Sequence, residues 1–311
     1  MTRPIIIDTD PGQDDAVALL LALASPDVLE VLGITTVAGN VPLDLTTRNA
    51  LMMTELAGRR NVPVYAGCDR PIARPLVTAE YVHGKTGIDG ADTPEPTTAP
   101  AEGHAVDFII ETALTAAELT VCTLGPLTNL GTALQRAPEI GEAIEQVVLM
   151  GGGFFEGGNT TPAAEFNIYV DPQAADIVFR SGIPLVMMPL DVTHQALTSD
   201  ARVEAFKALG NAAGAATAGM LEFFERYDME RYGTGGAPLH DPTVVAYLLE
   251  PAMFGGKRCS VEIETVSELT MGMTVVDWWN LTNSDPNCLV INEIDDERFF
   301  ALLTERIGRL P

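Results

Sequence analysis

Along the first two thirds of the chain, short uninterrupted apolar runs alternate with longer segments of helical period. Residues 4–7 predict a buried strand and 14–24 an apolar helix; 28–37 and 43–57 repeat the pair. Residues 120–124 are followed by a helix from 127, and 146–150 by a glycine-rich loop. Residues 172–180 read as a helix leading into the apolar run 183–190. Strands that are apolar at every position, not at every second one, are buried on both faces. The expected fold is therefore α/β, a mostly parallel sheet with helices on both sides. Further strands are expected at 259–264, 274–276 and 288–291, with a last helix from 297. Two segments break the rhythm: 91–102, rich in Pro, Thr and Ala, and 226–238, which ends in a glycine cluster. No repeat or shift in composition divides the chain, so one domain over residues 1–311 is expected.

The most informative run is Ile5-Ile6-Ile7-Asp8-Thr9-Asp10-Pro11-Gly12-Gln13-Asp14-Asp15. Its carboxylates follow a buried strand and open a helix, where ligands bind in parallel sheets. A helix N-terminus does favour negative charge, and one Asp could simply cap it. One cap needs one carboxylate, however, and crowded carboxylates repel unless a cation joins them. Oxygen donors of this kind suit Ca2+ or Mg2+. Rival motifs fail on register. An EF-hand loop from Asp8 needs Gly and Glu where Gln13 and Leu19 stand. A phosphate loop ending Gly84-Lys85-Thr86 needs Gly where Ala79 stands, and Gly151-Gly152-Gly153 lacks the dinucleotide spacing.

Charge narrows the partners. With 43 acidic against 18 basic residues the net charge is −25, which excludes a basic footprint for nucleic acid and leaves small neutral or cationic ligands. Cys68, Cys122, Cys259 and Cys288 form no CxxC pair, which argues against a thiolate metal site and suits a reducing cytosol. The apolar run at Ile5 is too short for a signal-peptide core, and no stretch approaches the ~20 residues of a membrane span. A cytoplasmic protein without a membrane partner is expected.

The acidic run does not stand alone. Val37-Ala38-Gly39-Asn40, Val82-His83-Gly84, Leu124-Gly125-Pro126-Leu127-Thr128-Asn129, Met150-Gly151-Gly152, Glu165-Phe166-Asn167 and Leu239-His240-Asp241-Pro242 follow it in order, and Thr274-Val275-Val276-Asp277 comes later. Taken together with Asp8-Thr9-Asp10-Pro11-Gly12-x-Asp14-Asp15, these segments resemble the inosine-uridine preferring nucleoside hydrolases, from residue 8 to about 242. The resemblance implies the fold of that family and one Ca2+ at the bottom of the pocket. Its ligands would be the carboxylates of Asp10, Asp15 and Asp241 and the backbone carbonyl of Leu124. It implies that Asp14, Asn159, Glu165 and Asn167 grip the ribose hydroxyls, with Asn40 as a supporting polar residue. His83 matches a base-side histidine, and His240 the leaving-group acid of one subgroup. A homodimer or homotetramer is implied as well.

The chemistry fits the residue types. Breaking an N-glycosidic bond passes through an oxocarbenium-like ribosyl cation. A divalent ion lowers the pKa of its water, Asp10 takes the proton, and His240, of a type that titrates near neutrality, protonates the departing base. The substrate expected is a pyrimidine or mixed ribonucleoside. Simpler readings stand beside these. Asp241-Pro242 and Asp171-Pro172 both have the form of a capped helix start, and for Asp171 capping is the reading adopted. Glu165 and Asn167 could equally satisfy backbone groups. Tyr232, placed in a loop before His240, either contacts the base or packs. The segments 78–90 and 227–236 are candidate lids, whereas His104 and His194 receive no role. Two other functions compete. A Mg2+ phosphohydrolase of the haloacid dehalogenase type would use Asp8-Thr9-Asp10 but lacks its later lysine and acidic pair. A silent nucleoside-binding protein would have lost Asp10, Asp15 or Asp241, all of which are present.

Overall fold

A computed structural model describes residues 2–232 and 236–311, the side chains of 227–232 excepted. The strand–helix alternation of the sequence is realised. β1 (Arg3–Thr9) leads into α1 (Gln13–Leu23), β2 (Leu29–Thr36) into α2 (Leu43–Leu56), and β3 (Val64–Ala66) into the one-turn α3 (Glu80–His83). α4 (Ala105–Thr115) precedes β4 (Thr120–Thr123), after which come α5 (Thr128–Arg136) and α6 (Ile140–Ala143). β5 (Gln146–Met150) is followed by α7 (Phe166–Val170) and α8 (Pro172–Phe179), and β6 (Leu185–Met188) by α9 (Leu190–Thr193). Next are α10 (Asp200–Lys207), α11 (Ala212–Tyr232) and α12 (Pro242–Leu249). β7 (Phe254–Cys259), β8 (Val261–Ile263), β9 (Thr274–Val276) and β10 (Cys288–Ile294) precede α13 (Asp296–Ile307).

The main sheet has the order β3-β2-β1-β4-β5-β6-β10-β7 and is parallel except for β7 against β10. Side chains alternate between two cores. Ile5 and Ile7 of β1 join one and Ile6 the other; Val148 and Met150 of β5 oppose Val147 and Leu149 in the same way. This is why the strands read as continuous apolar runs. From β1 the chain runs outward through β2 and β3, then returns to place β4 on the other side of β1. That reversal opens a crevice beyond the carboxyl ends of β1 and β4, the natural ligand position in such sheets. α1 is buried along its whole length, including Asp14 and Asp15. No helix among the described residues is long and apolar enough to cross a membrane.

Two expectations need correction. The single strand expected at 259–264 is two strands in two sheets. Asn287 ends the first ladder, because its Oδ1 accepts from the Val261 N–H at 2.8 Å and its Nδ2 donates to the Val261 carbonyl at 2.9 Å. The side chain thus takes the place of the next ladder partner, and β8 pairs with β9 instead. The break expected at 226–238 begins late, since α11 continues to Tyr232. Residues 226–232 contain neither Gly nor Pro, and nothing local ends the helix before Gly233.

Beneath the crevice, Asn129 of α5 ties three segments together. It donates to Asp8 Oδ1 at 2.8 Å and to the Thr36 carbonyl at 3.0 Å, and accepts from the Cys68 N–H at 2.8 Å. Asp8 also accepts from the Thr35 hydroxyl at 2.6 Å, and burial pushes its carboxyl up to about 7. Asp8 therefore serves the scaffold rather than the crevice. Asn129→Leu removes three hydrogen bonds, although Asp8 Oδ1 keeps the Thr35 hydroxyl, and is expected to destabilise the protein by about 3 kcal/mol in urea unfolding. A loss below about 1 kcal/mol would show that these bonds do not hold the strand ends.

Candidate active site

Three chain segments deliver four carboxylates to the crevice. Asp10 follows β1, Asp14 and Asp15 form the first turn of α1, and Asp241 immediately precedes α12. All four are buried. One oxygen each from Asp14, Asp15 and Asp241 lies within 4.8 Å of the others; Asp10 does not join that trio at this spacing. Its charge is nonetheless felt there, since Asp10 raises Asp241, and Asp15 and Asp14 raise Asp10. Burial is the larger cause in every case. It pushes Asp10 and Asp241 well above the usual carboxylate range and, with Asp15, pushes Asp14 up to about 8.

Hydrogen bonds distinguish the members. Asp15 is fully engaged: Oδ1 accepts from the Thr9 hydroxyl at 2.5 Å and the Asp10 N–H at 3.2 Å, Oδ2 from the Gly12 N–H at 3.0 Å and Asn40 Nδ2 at 3.1 Å. Asp10 is half engaged. Its Oδ2 accepts from the Asn40 N–H at 2.7 Å, whereas its buried Oδ1 has no donor. Gly39 and Gly125 flank it so closely that a Cβ on either would stand 2.1 Å from an Asp10 oxygen. Asp241 makes no side-chain cap to α12. Asp171, in the same Asp-Pro setting, caps α8 through the Ala174 N–H at 3.0 Å and accepts from the Thr128 hydroxyl and the Ile72 N–H. Identical local sequence thus has opposite uses, and only the Asp241 side chain is left for the crevice.

An all-oxygen, buried and mutually repelling set with an undonated carboxylate oxygen fits a hard divalent cation. The Leu124 carbonyl, at the end of β4, accepts from Asn167 Nδ2 at 2.6 Å and has a second lone pair. On the same side Glu165 accepts from the N–H groups of Asn167 at 2.9 Å, Gly152 at 3.0 Å and Ile168 at 3.2 Å; burial holds its carboxyl at about 7. Asn159 Oδ1 accepts from the Phe166 N–H at 3.0 Å. The backbone-satisfying reading of Glu165 and Asn167 is therefore met, and both residues still line the pocket together with Asn159, Asp14 and Asn40.

The same pocket has an imidazole and aromatic wall. His83, Phe224, His194 and His240 line it with Val82 and Pro238. His240 is expected from its type to titrate near neutrality, and the structure corrects this. Burial, then His194 and His83, lower it to about 3, and its Nδ1 meets the Thr193 hydroxyl at 2.7 Å. His194 and Phe224 are not among the residues that the sequence singles out. His194 follows α9 beyond β6, bonds Glu156 Oε2 at 3.3 Å and stands 5.9 Å from the His240 ring. Its position beyond the end of an apolar strand was the available signal. Phe224 carried none, because its place in α11 looks like any core aromatic. The Tyr232 side chain lies outside the described residues; its backbone ends α11 and is not the loop expected. Of the candidate lids, segment 78–90 is clamped by Gln13 and by Asn49, which donates to the carbonyls of Thr86 at 2.7 Å and Pro11 at 3.0 Å. Segment 227–236 falls largely outside the described side chains.

Comparison with known proteins accords with this arrangement. The sequence pattern of the family "Inosine-uridine preferring nucleoside hydrolase" matches residues 5–301. The chain is 54% identical to an uncharacterized protein of Schizosaccharomyces pombe over 309 residues, 99% of each chain. It is 47% identical to the pyrimidine-specific ribonucleoside hydrolase RihA of Photobacterium profundum over 310 residues, again 99% of each. The solved purine-preferring ribonucleoside hydrolase from Gardnerella vaginalis superposes with a TM-score of 0.92 at 34% identity, covering 98% of both chains. The match spans the strand ends and helix starts that build the pocket, and the chain belongs to the inosine-uridine preferring nucleoside hydrolases, glycosidases that act on N-glycosyl compounds.

Proposed function

We propose that this chain hydrolyses pyrimidine or mixed pyrimidine and purine ribonucleosides to ribose and free base, with Ca2+ as its cation and Asp10 as general base. The observation that carries the reading is the undonated, buried Oδ1 of Asp10 beside the trio Asp14, Asp15 and Asp241. Asp10, Asp15, Asp241 and the Leu124 carbonyl would hold the ion, a Lewis acid that acidifies water and orients vicinal hydroxyls. Asn40 fixes Asp10 through Oδ2 and leaves Oδ1 to accept the proton of the attacking water. Asp14, Asn159, Glu165 and Asn167 surround the ribose and exclude bulk water, so the sugar is oriented before reaction. A pocket rich in carboxylates favours the cationic transition state over the neutral substrate.

His240 works at the leaving-group end as a neutral ring. Nδ1 shares a hydrogen bond with the Thr193 hydroxyl at 2.7 Å, and where that hydroxyl donates, the Nε2–H is left to hydrogen-bond the departing base. The pyrimidine preference rests on the 47% identity to a pyrimidine-specific hydrolase, against 34% to a purine-preferring one. A panel of uridine, cytidine, inosine and adenosine, assayed for ribose release with and without chelator, tests the whole reading. Activity untouched by chelation removes the cation from it.

Three outcomes are expected. Asp10→Asn should lower kcat at least about 10²-fold while leaving the fold intact by circular dichroism. His240→Ala should slow uridine cleavage by about 10²- to 10⁴-fold but spare 4-nitrophenyl riboside, whose leaving group needs no proton; equal losses on both would refute the donor role. The third concerns pH. Asp10, Asp14 and Asp241 hold protons more tightly folded than unfolded. Their contribution to stability is thus complete below the unfolded value near 3.8 and is lost as pH rises through the folded value, about 8 for Asp14. Metal-free protein should therefore melt lower at pH 8 than at pH 6, and saturating Ca2+ should raise the Tm more at pH 8. Equal shifts at both pH values would contradict the carboxylate site.

A further inference from the structure

The first turn of α1 also carries Gln13, which the chemistry above does not use. It is wholly buried and reaches a segment 70 residues further along the chain. Its Nε2 donates to the carbonyl of His83 at 2.9 Å and to that of Asp89 at 3.2 Å, so both amide hydrogens are engaged. Its Oε1 faces His83 Nδ1 at 2.7 Å. An amide oxygen has no proton to give, so Nδ1 must be the donor. Turning the amide over would set its oxygen against two carbonyl oxygens, and the network therefore fixes its orientation. In a neutral imidazole, a proton on Nδ1 leaves a lone pair on Nε2. Burial keeps the ring neutral, lowering it to about 3.

The remaining surroundings direct that lone pair. The Nδ1–Cε1 edge lies over Gly12, where a Cβ would come within 2.4 and 2.7 Å of those atoms. The ring stacks on Phe224 with centroids 5.6 Å apart. His83 still lines the pocket, and with Nδ1 turned to Gln13 the ring nitrogen left to face it is Nε2.

We propose that Gln13 is a positioning residue that locks His83 in the Nδ1–H tautomer, so that the base end of the pocket offers a hydrogen-bond acceptor and selects nucleobases presenting an N–H donor. The tautomer rests on geometry alone, whereas the selection rests on the function proposed above.

Long-range nitrogen-15 NMR of the full chain labelled in histidine reads the tautomer directly, with four imidazoles to assign. The expected spectrum shows His83 protonated on Nδ1 with a pyridine-like Nε2, identified by its disappearance in His83→Gln. Gln13→Met keeps the volume but removes the acceptor, and should move that pair toward the Nε2–H form. A wild-type His83 protonated on Nε2 overturns the proposal, and that result needs no variant to fold. In kinetics, kcat/KM for uridine over 3-methyluridine, or for inosine over 1-methylinosine, should favour the N–H substrate by at least about tenfold. Gln13→Met, which does not touch the base, should bring that ratio within about twofold of unity. A preference absent from the wild type, or unchanged in Gln13→Met, overturns the selection. Failure to release ribose from any of the four nucleosides would count against the proposed function, a failure distinguishable from the first because the spectrum is read without turnover.

Discussion

Four carboxylates withdrawn from water and held within reach of one another are the constraint on which the rest of the structure depends. Left to themselves, Asp10, Asp14, Asp15 and Asp241 would separate or take up protons, and the raised values of Asp10, Asp14 and Asp241 record that strain. What keeps them together is scaffold. β1 and β4 are fixed in register with Asp8 opposite Thr123, α1 is buried on every side, and Asn129 ties β1, β2 and the Cys68 turn from below. The repulsion becomes useful only if a cation or a cationic reaction centre enters, which is the logic of a glycosidase pocket.

Most polar groups around the site serve the backbone first. Asp15 completes the start of α1, Glu165 caps α7, and Asn167 bridges the ends of β4 and β5. Each is rigid because it is already bonded, and rigid groups orient a sugar without reorganising during reaction. Asp10 is the exception: one oxygen is held by Asn40 and the other is free of donors. Asp8 shares that asymmetry, since its Oδ2 is likewise buried without a donor, but of the two only Asp10 lies beside the carboxylates of Asp14 and Asp15, and that position marks it as the candidate base.

The leaving-group end follows other rules. Its rings are kept neutral by burial, so protonation state matters less there than which nitrogen carries the hydrogen. Gln13 sets that question for His83, whose Nδ1 faces an amide oxygen, whereas the Thr193 hydroxyl beside His240 Nδ1 can donate or accept. Both partners are uncharged, which lets the pocket define donors and acceptors without adding to an already excessive negative charge.

Continuous apolar runs announced strands buried on both faces, and the acidic run after the first of them marked the site, because strand ends and helix starts are local events written in neighbouring residues. Asp10 stands in that run, whereas Gly39, Gly125 and Asp241 stood out only through the resemblance of their segments to a known family. Local sequence could not separate Asp241-Pro242 from Asp171-Pro172, because capping is decided by which side chains approach from elsewhere. Nor could it place Phe224 and His194 in the pocket, lower His240 far below neutrality, or split the strand at Ser260 through Asn287. Those outcomes depend on burial and on contacts between residues distant in the chain, and both exist only once the sheet has assembled.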